Sequence, residues 1–167
     1  MRLKRKLWLK NLRIIYKALK AQIINTDKKT FLFFDPNKPF TAYKILKDFF
    51  MKGRKEVLVY DGYVQEGTLD ILSSMRSSVR IKILINNAYG KFNRELSKFK
   101  KEFPLTEVKK ADIHDRFFII DDKCFISGTS LHAFGGNKPS YIFEVNESIS
   151  VIFKNHFMII WNKSKSI

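Results

Sequence analysis

A chain of 167 residues, 45% of them hydrophobic, is long enough to bury one ordinary core and too short to call for a second. Its 32 Lys and Arg stand against 16 Asp and Glu, a formal charge of +16; this attracts polyanions such as nucleic acid, anionic head groups or acidic protein without choosing among them, and a solvated lysine-rich surface would give the same numbers. The single cysteine, Cys124, excludes an internal disulfide and a multi-cysteine zinc site and makes a reducing, intracellular setting the default.

The first acidic residue is Asp27. Residues 1–26 place Arg2, Lys4, Arg5, Lys6, Lys10, Arg13, Lys17 and Lys20 around Trp8, Leu12, Ile15, Leu19 and Ile23. Steps of three and four put the apolar residues on one face of a helix. A basic amphipathic helix of this kind packs on its own domain, on a second subunit, on an anionic membrane or on nucleic acid. Cations interrupt it too often for a secretory signal or a membrane span.

From there elements alternate. Residues 31–34 read as a strand, 41–52 as a helix ending at Gly53, 56–60 as a strand, and 65–75 as a helix. A strand at 80–85, a basic helix at 91–103 stopped by Pro104, and an edge strand at 107–110 follow. Residues 117–120 and 124–126 then make a strand pair around an Asp121-Asp122-Lys123 turn, and 148–161 is an apolar segment that reads as a helix, although its β-branched content permits a strand, and in which His156 is structural. Cys124, on the second strand of that pair, reads as a small core residue. The alternation predicts an α/β domain over residues 27–167, with a single mixed or largely parallel sheet and helices on both faces. Ligands of such sheets collect at the carboxyl ends of the parallel strands, where Asp61, Tyr63, Asn86 and Asn87 stand. An Asp or Asn there is also an ordinary first turn residue.

Just before the strand pair lie His114 and Arg116. Two residues apart on an extended chain, they point to one face, so an imidazole sits beside a cation that can grip an oxyanion in two places. The bland alternative is a surface His-Asp-Arg triplet with a local Asp115–Arg116 ion pair of small energetic worth. The return strand ends at Gly128 and would bring the polar loop of residues 129–137 back toward His114.

The run from His114 to Leu131 resembles the signature of the phospholipase D superfamily, His-x-Lys-x4-Asp-x6-Gly-Ser-x-Asn. His114, Asp121 and Gly128 fall on its spacing; Arg116 stands for the Lys, Thr129 for the Ser and Leu131 for the Asn. In layout the resemblance covers roughly residues 31–161. It implies a phospholipase D-like fold and a reaction in which one histidine attacks phosphorus to form a phosphohistidine while a second protonates the leaving oxygen, with no metal and no cofactor. A chain with a single motif would then form a homodimer, two copies of His114 meeting at the two-fold axis.

On that resemblance, Arg116 clamps the nonbridging oxygens, Thr129 and Ser130 donate hydrogen bonds, and Glu144 is the nearest downstream carboxylate to fix the His114 tautomer. Asp61, Asp121 and His132 complete the substrate-binding set, Ser130 or His132 replacing the missing amide of the motif. A metal site built from His114, Asp115 and His132 matches no standard ligand spacing. The expected activity is a metal-independent phosphodiester hydrolase, nuclease-like because the chain is so basic, in the cytoplasm and with a membrane-peripheral setting as one fate of the N-terminal helix. The rival is a noncatalytic phospholipase D-like module that binds the phosphates of nucleic acid or anionic membrane, as some superfamily members do.

Overall fold

The computed structural model describes residues 29–167; the expected basic helix of residues 1–26 lies outside them. The described chain runs β1 (Phe31–Phe34), α1 (Pro39–Phe50), β2 (Glu56–Asp61), β3 (Tyr63–Val64), α2 (Glu66–Leu72) and β4 (Arg80–Ile85). It continues through β5 (Asn87–Ala88), α3 (Phe92–Glu102), β6 (Thr106–Lys110), β7 (Arg116–Ile120) and β8 (Lys123–Ser127). A 3₁₀ turn (Leu131–Ala133), β9 (Ser140–Glu144), α4 (Glu147–Lys163) and β10 (Lys165–Ser166) complete it.

Eight strands form one open mixed sheet in the order β1-β9-β8-β7-β2-β4-β6-β10, and β3 pairs with β5 in a separate two-stranded piece. Parallel pairing within the large sheet is confined to β2, β4 and β6. The expected mixed or largely parallel sheet is thus a mixed one, parallel in that part. Helical crossovers through α2 and α3 carry the chain back to start each of these strands in the same direction. Elsewhere short connections force antiparallel neighbours, as at the β7–β8 hairpin. The strand β9, the short β10 and the β3–β5 pair were not expected from the sequence.

Central strands are apolar on both sides because both sides are covered. In β2, Val57 and Val59 join one buried cluster and Leu58 and Tyr60 the other; in β7, Phe118 and Ile120 face the first, Phe117 and Ile119 the second. The first cluster packs under α1, α2 and α3 through Leu46, Phe49, Leu69, Leu72, Leu96 and Phe99. The second packs under α4 through Phe157 and Trp161. Asn146 caps α4, its side-chain oxygen accepting from the Ile149 N–H at 2.9 Å. Cys124 is fully buried in this second layer, and burial pushes its thiol up to about 12, so it is a core residue without thiolate reactivity. No helix among the described residues is long and apolar enough to cross a membrane.

The same period of two positions the site. Asp61 continues the series Val57, Val59 on β2, and Arg116 continues Ile120, Phe118 on β7; the two are register partners. Both side chains therefore leave neighbouring strands on the α1–α3 face, at the carboxyl end of β2.

Candidate functional site

The centre of the site is a buried carboxylate. Asp61 is 2% exposed. Its Oδ1 accepts from the Ser130 hydroxyl at 2.8 Å and the Tyr63 N–H at 3.1 Å, and its Oδ2 accepts from the Leu131 N–H at 3.3 Å. The Arg116 guanidinium stands 3.6 Å away, its Nε donating to the Ser130 hydroxyl at 3.0 Å. Burial pushes the Asp61 pKa above its ordinary value, against the opposing pull of Tyr63, Ser130, Arg116 and Leu131. Asp61 and Ser130 thus hold Arg116 by its Nε edge, with the side chain 26% exposed.

Tyr63 joins the cation to the imidazole. Arg116 lies over the Tyr63 ring, 5.6 Å from its centroid, and the His114 ring meets the same tyrosine edge-on at 6.3 Å. His114 is exposed, on the irregular segment before β7. That segment runs close to the end of β2 because residue 62 is glycine: a Cβ there would lie 2.7 Å from the Ile113 carbonyl oxygen. His114 and Arg116 thus both meet the Tyr63 ring. Beside them Tyr89 stacks on Tyr63, ring centroids 6.0 Å apart.

No family model matches this chain, and no curated protein does. Solved structures do. NucT from Helicobacter pylori superposes with a TM-score of 0.64 at 13% identity, covering 84% of this chain and 99% of that one. Nuc from Salmonella typhimurium, a phospholipase D family member, gives 0.61 at 12% identity over 84% of this chain and 99% of its own. The fold is that of the phospholipase D superfamily. TrmBL2, an archaeal chromatin protein whose structure shows a novel mode of DNA binding, gives 0.58 at 21% identity, over 99% of this chain and 66% of that one.

Within this phospholipase D fold, the other expected site residues separate into those near Arg116 and those far from it. Thr129 borders the same small gap as Asp61 and Arg116, and its carbonyl accepts from the Ser127 hydroxyl. Ser130 is buried between Asp61 and Arg116, so its hydroxyl is committed to them. Leu131, where the superfamily motif has Asn, is a core residue. His132 is half-buried with its Cβ near Gly67, and its Nδ1 is buried without a partner among the described residues. Loss of water lowers its pKa, so the ring is held toward the neutral form. Asp61 itself is buried, its carboxylate engaged by Ser130, Tyr63, Leu131 and Arg116.

Asp121 is at the wrong end of the strand. Five residues separate it from Arg116, roughly 16 Å along β7. There, at a positive φ of 57°, its carboxylate accepts from the backbone N–H groups of Arg54, Lys55 and Glu56. Burial raises its pKa, but the three donors together outweigh that and leave it lowered. The motif's aspartate thus ties the β7–β8 turn to the start of β2 and takes no part in the site.

Glu144 does not orient His114. It pairs with Phe125 on β9, two strands from β7 and at the level of Phe118, about 10 Å away sideways alone. Its carboxylate is engaged there, accepting from the Thr30 N–H at 3.0 Å and pairing with Lys123 at 3.0 Å. Partial burial raises its pKa, and these contacts overcome that and lower it. Among the described residues no carboxylate pairs with the His114 imidazole, and no three of His, Cys, Asp and Glu could together hold a metal ion. Asn86 donates to Asp112 at 3.4 Å, tying β4 to the segment that carries His114.

The sequence places Tyr63 at a strand end where ligands of such sheets collect, and offers no reading of Tyr89. A signal existed: each follows, by a few residues, the end of one of two adjacent parallel strands, β2 and β4, where the fold gathers its ligands.

Proposed function

We propose that this chain is a metal-independent phosphodiester hydrolase acting on nucleic acid. His114 is its nucleophile and Arg116 its phosphate clamp. The observation that carries the reading is the Asp61–Ser130–Arg116 arrangement with His114 against Tyr63, in a chain whose fold is similar to that of Nuc. Arg116 would hold the nonbridging oxygens in the ground and transition states. A His114 ring nitrogen would attack phosphorus, forming a P–N bond as the P–O bond to the leaving group breaks. His114 of the partner subunit would give its proton to the departing oxygen and then take one from the water that releases the phosphohistidine. This requires a two-fold homodimer, which sedimentation tests directly. The charge of +16 suits a polyanion such as DNA or RNA, and backbone contacts would give little sequence preference. The basic residues 1–26 would add electrostatic affinity for such a polyanion. With its one cysteine reduced, the protein would work in the cytoplasm.

A noncatalytic phosphate-binding module is the second reading. What favours it is that the exposed His114 has, among the described residues, no carboxylate to set its tautomer, Glu144 being engaged elsewhere. Cleavage of single-stranded DNA, RNA and a simple phosphodiester, assayed in chelator, separates the two. Under the enzyme reading His114→Ala is inactive and still binds, whereas Arg116→Ala loses binding and rate together. Turnover that survives His114→Ala, or that needs a divalent metal, would refute the mechanism. Binding to nucleic acid or anionic vesicles without turnover by wild type would establish the module.

A further inference from the structure

We infer that Tyr63 and Tyr89 form a stacking platform for a nucleobase, so that the ligand of the Arg116 clamp is a single-stranded nucleic acid. This rests on Arg116 holding a phosphate, the reading given above.

Tyr89 is 47% exposed, far more than an aromatic ring needed only for packing, and it is nevertheless held in place. Its N–H donates to the Val64 carbonyl at 2.9 Å, and its ring stacks on Tyr63 with 28° between planes. Tyr63 is fixed from the other side, its N–H donating to the buried Asp61. The carboxylate that orients the phosphate clamp therefore also orients the platform. The three side chains are in sequence of contact, Tyr89 against Tyr63 and Tyr63 against the Arg116 guanidinium, and Tyr89 is the most exposed of them.

A polynucleotide offers an anion and a flat π surface one after the other, which is the pattern of these contacts. In a duplex the base faces are covered by their neighbours, so only an unpaired strand can use both. A phospholipid has no ring to stack. A quaternary ammonium head group would also seek aromatic faces. Here, however, the site's own cation already lies over Tyr63, and a chain of charge +16 repels a second.

The test is affinity of the full-length protein for a labelled single-stranded oligonucleotide and for an abasic strand of equal length, which has the same phosphates and no bases. Wild type is compared with Tyr89→Ala, Tyr89→Trp and Arg116→Ala, circular dichroism confirming the fold of each. Tyr89→Ala should lose about 5- to 150-fold on the strand with bases, the range for one stacked base. It should lose nothing on the abasic strand, and Tyr89→Trp should restore or tighten binding. Equal loss on both strands, or no loss on either, overturns the platform. Arg116→Ala should weaken both strands; if it changes neither, the phosphate reading fails on its own account. Anionic vesicles that bind through Arg116 more tightly than any single strand would overturn the assignment of ligand.

Discussion

Asp121 shows how much a single residue's role depends on where its strand ends. It occupies a motif position, yet its work is to close the turn between β7 and β8 on three N–H groups from residues 54–56. Asp121→Asn isolates the charge, because asparagine tolerates the left-handed backbone that this position adopts. The variant should unfold about 1–2 kcal/mol more easily at neutral pH, the range for a partly solvated charged acceptor. Since the folded carboxyl is lowered from 3.8, its contribution is complete above that value and disappears as the pH falls further and the folded group is protonated. Denaturant titrations at neutral pH and below pH 3.8 should therefore show the gap between wild type and variant closing in acid. A gap that widened there would contradict the assignment. Cleavage or binding at the Arg116 site should be unchanged at neutral pH.

At the scale of elements, the site depends on the end of β2 and on the segment that leads into β7. Gly62 lets these two lie against each other, and its O accepts the N–H groups of Asn86 and Asn87 as well. Gly62→Ala would press a methyl group onto the Ile113 carbonyl, a backbone atom that cannot swing aside. Overpacking of this kind costs about 1–3 kcal/mol. The shift it forces moves His114 away from Tyr63. We expect a lowered melting temperature together with a loss of oligonucleotide affinity or turnover that persists at temperatures where the variant is fully folded. Full activity in a folded variant would show that the His114 segment is not positioned by this contact.

For the whole molecule, charge sets the range of the interaction and the fold sets its place. Binding of single strands should weaken linearly in log K against log salt, with a slope of about −0.7 for each phosphate neutralised. Removing residues 1–20, which carry Arg2, Lys4, Arg5, Lys6, Lys10, Arg13, Lys17 and Lys20, should make that slope shallower and leave the melting temperature unaltered. If the truncated chain unfolds instead, that segment belongs to the core and not to the ligand surface.

Much of this was legible in the order of residues. Burial on both faces at residues 57–60 and 117–120, the alternation with helices, and the spacing of His114 and Arg116 are local patterns. A pattern of period two assigns each side chain to a sheet face without knowledge of the neighbouring strand. The sequence by itself thus determined an α/β sheet with helices on both sides and a cation and an imidazole at one strand end. Only the tertiary structure decided what surrounds them, because contacts between distant segments depend on strand order and register, which local periodicity does not encode. Glu144 is near in sequence and two strands away in space, whereas Ser130 and Asp61 are 69 residues apart and share a hydrogen bond. Tyr63 and Tyr89 meet because β2 and β4 run parallel with the same register, which brings their carboxyl ends level.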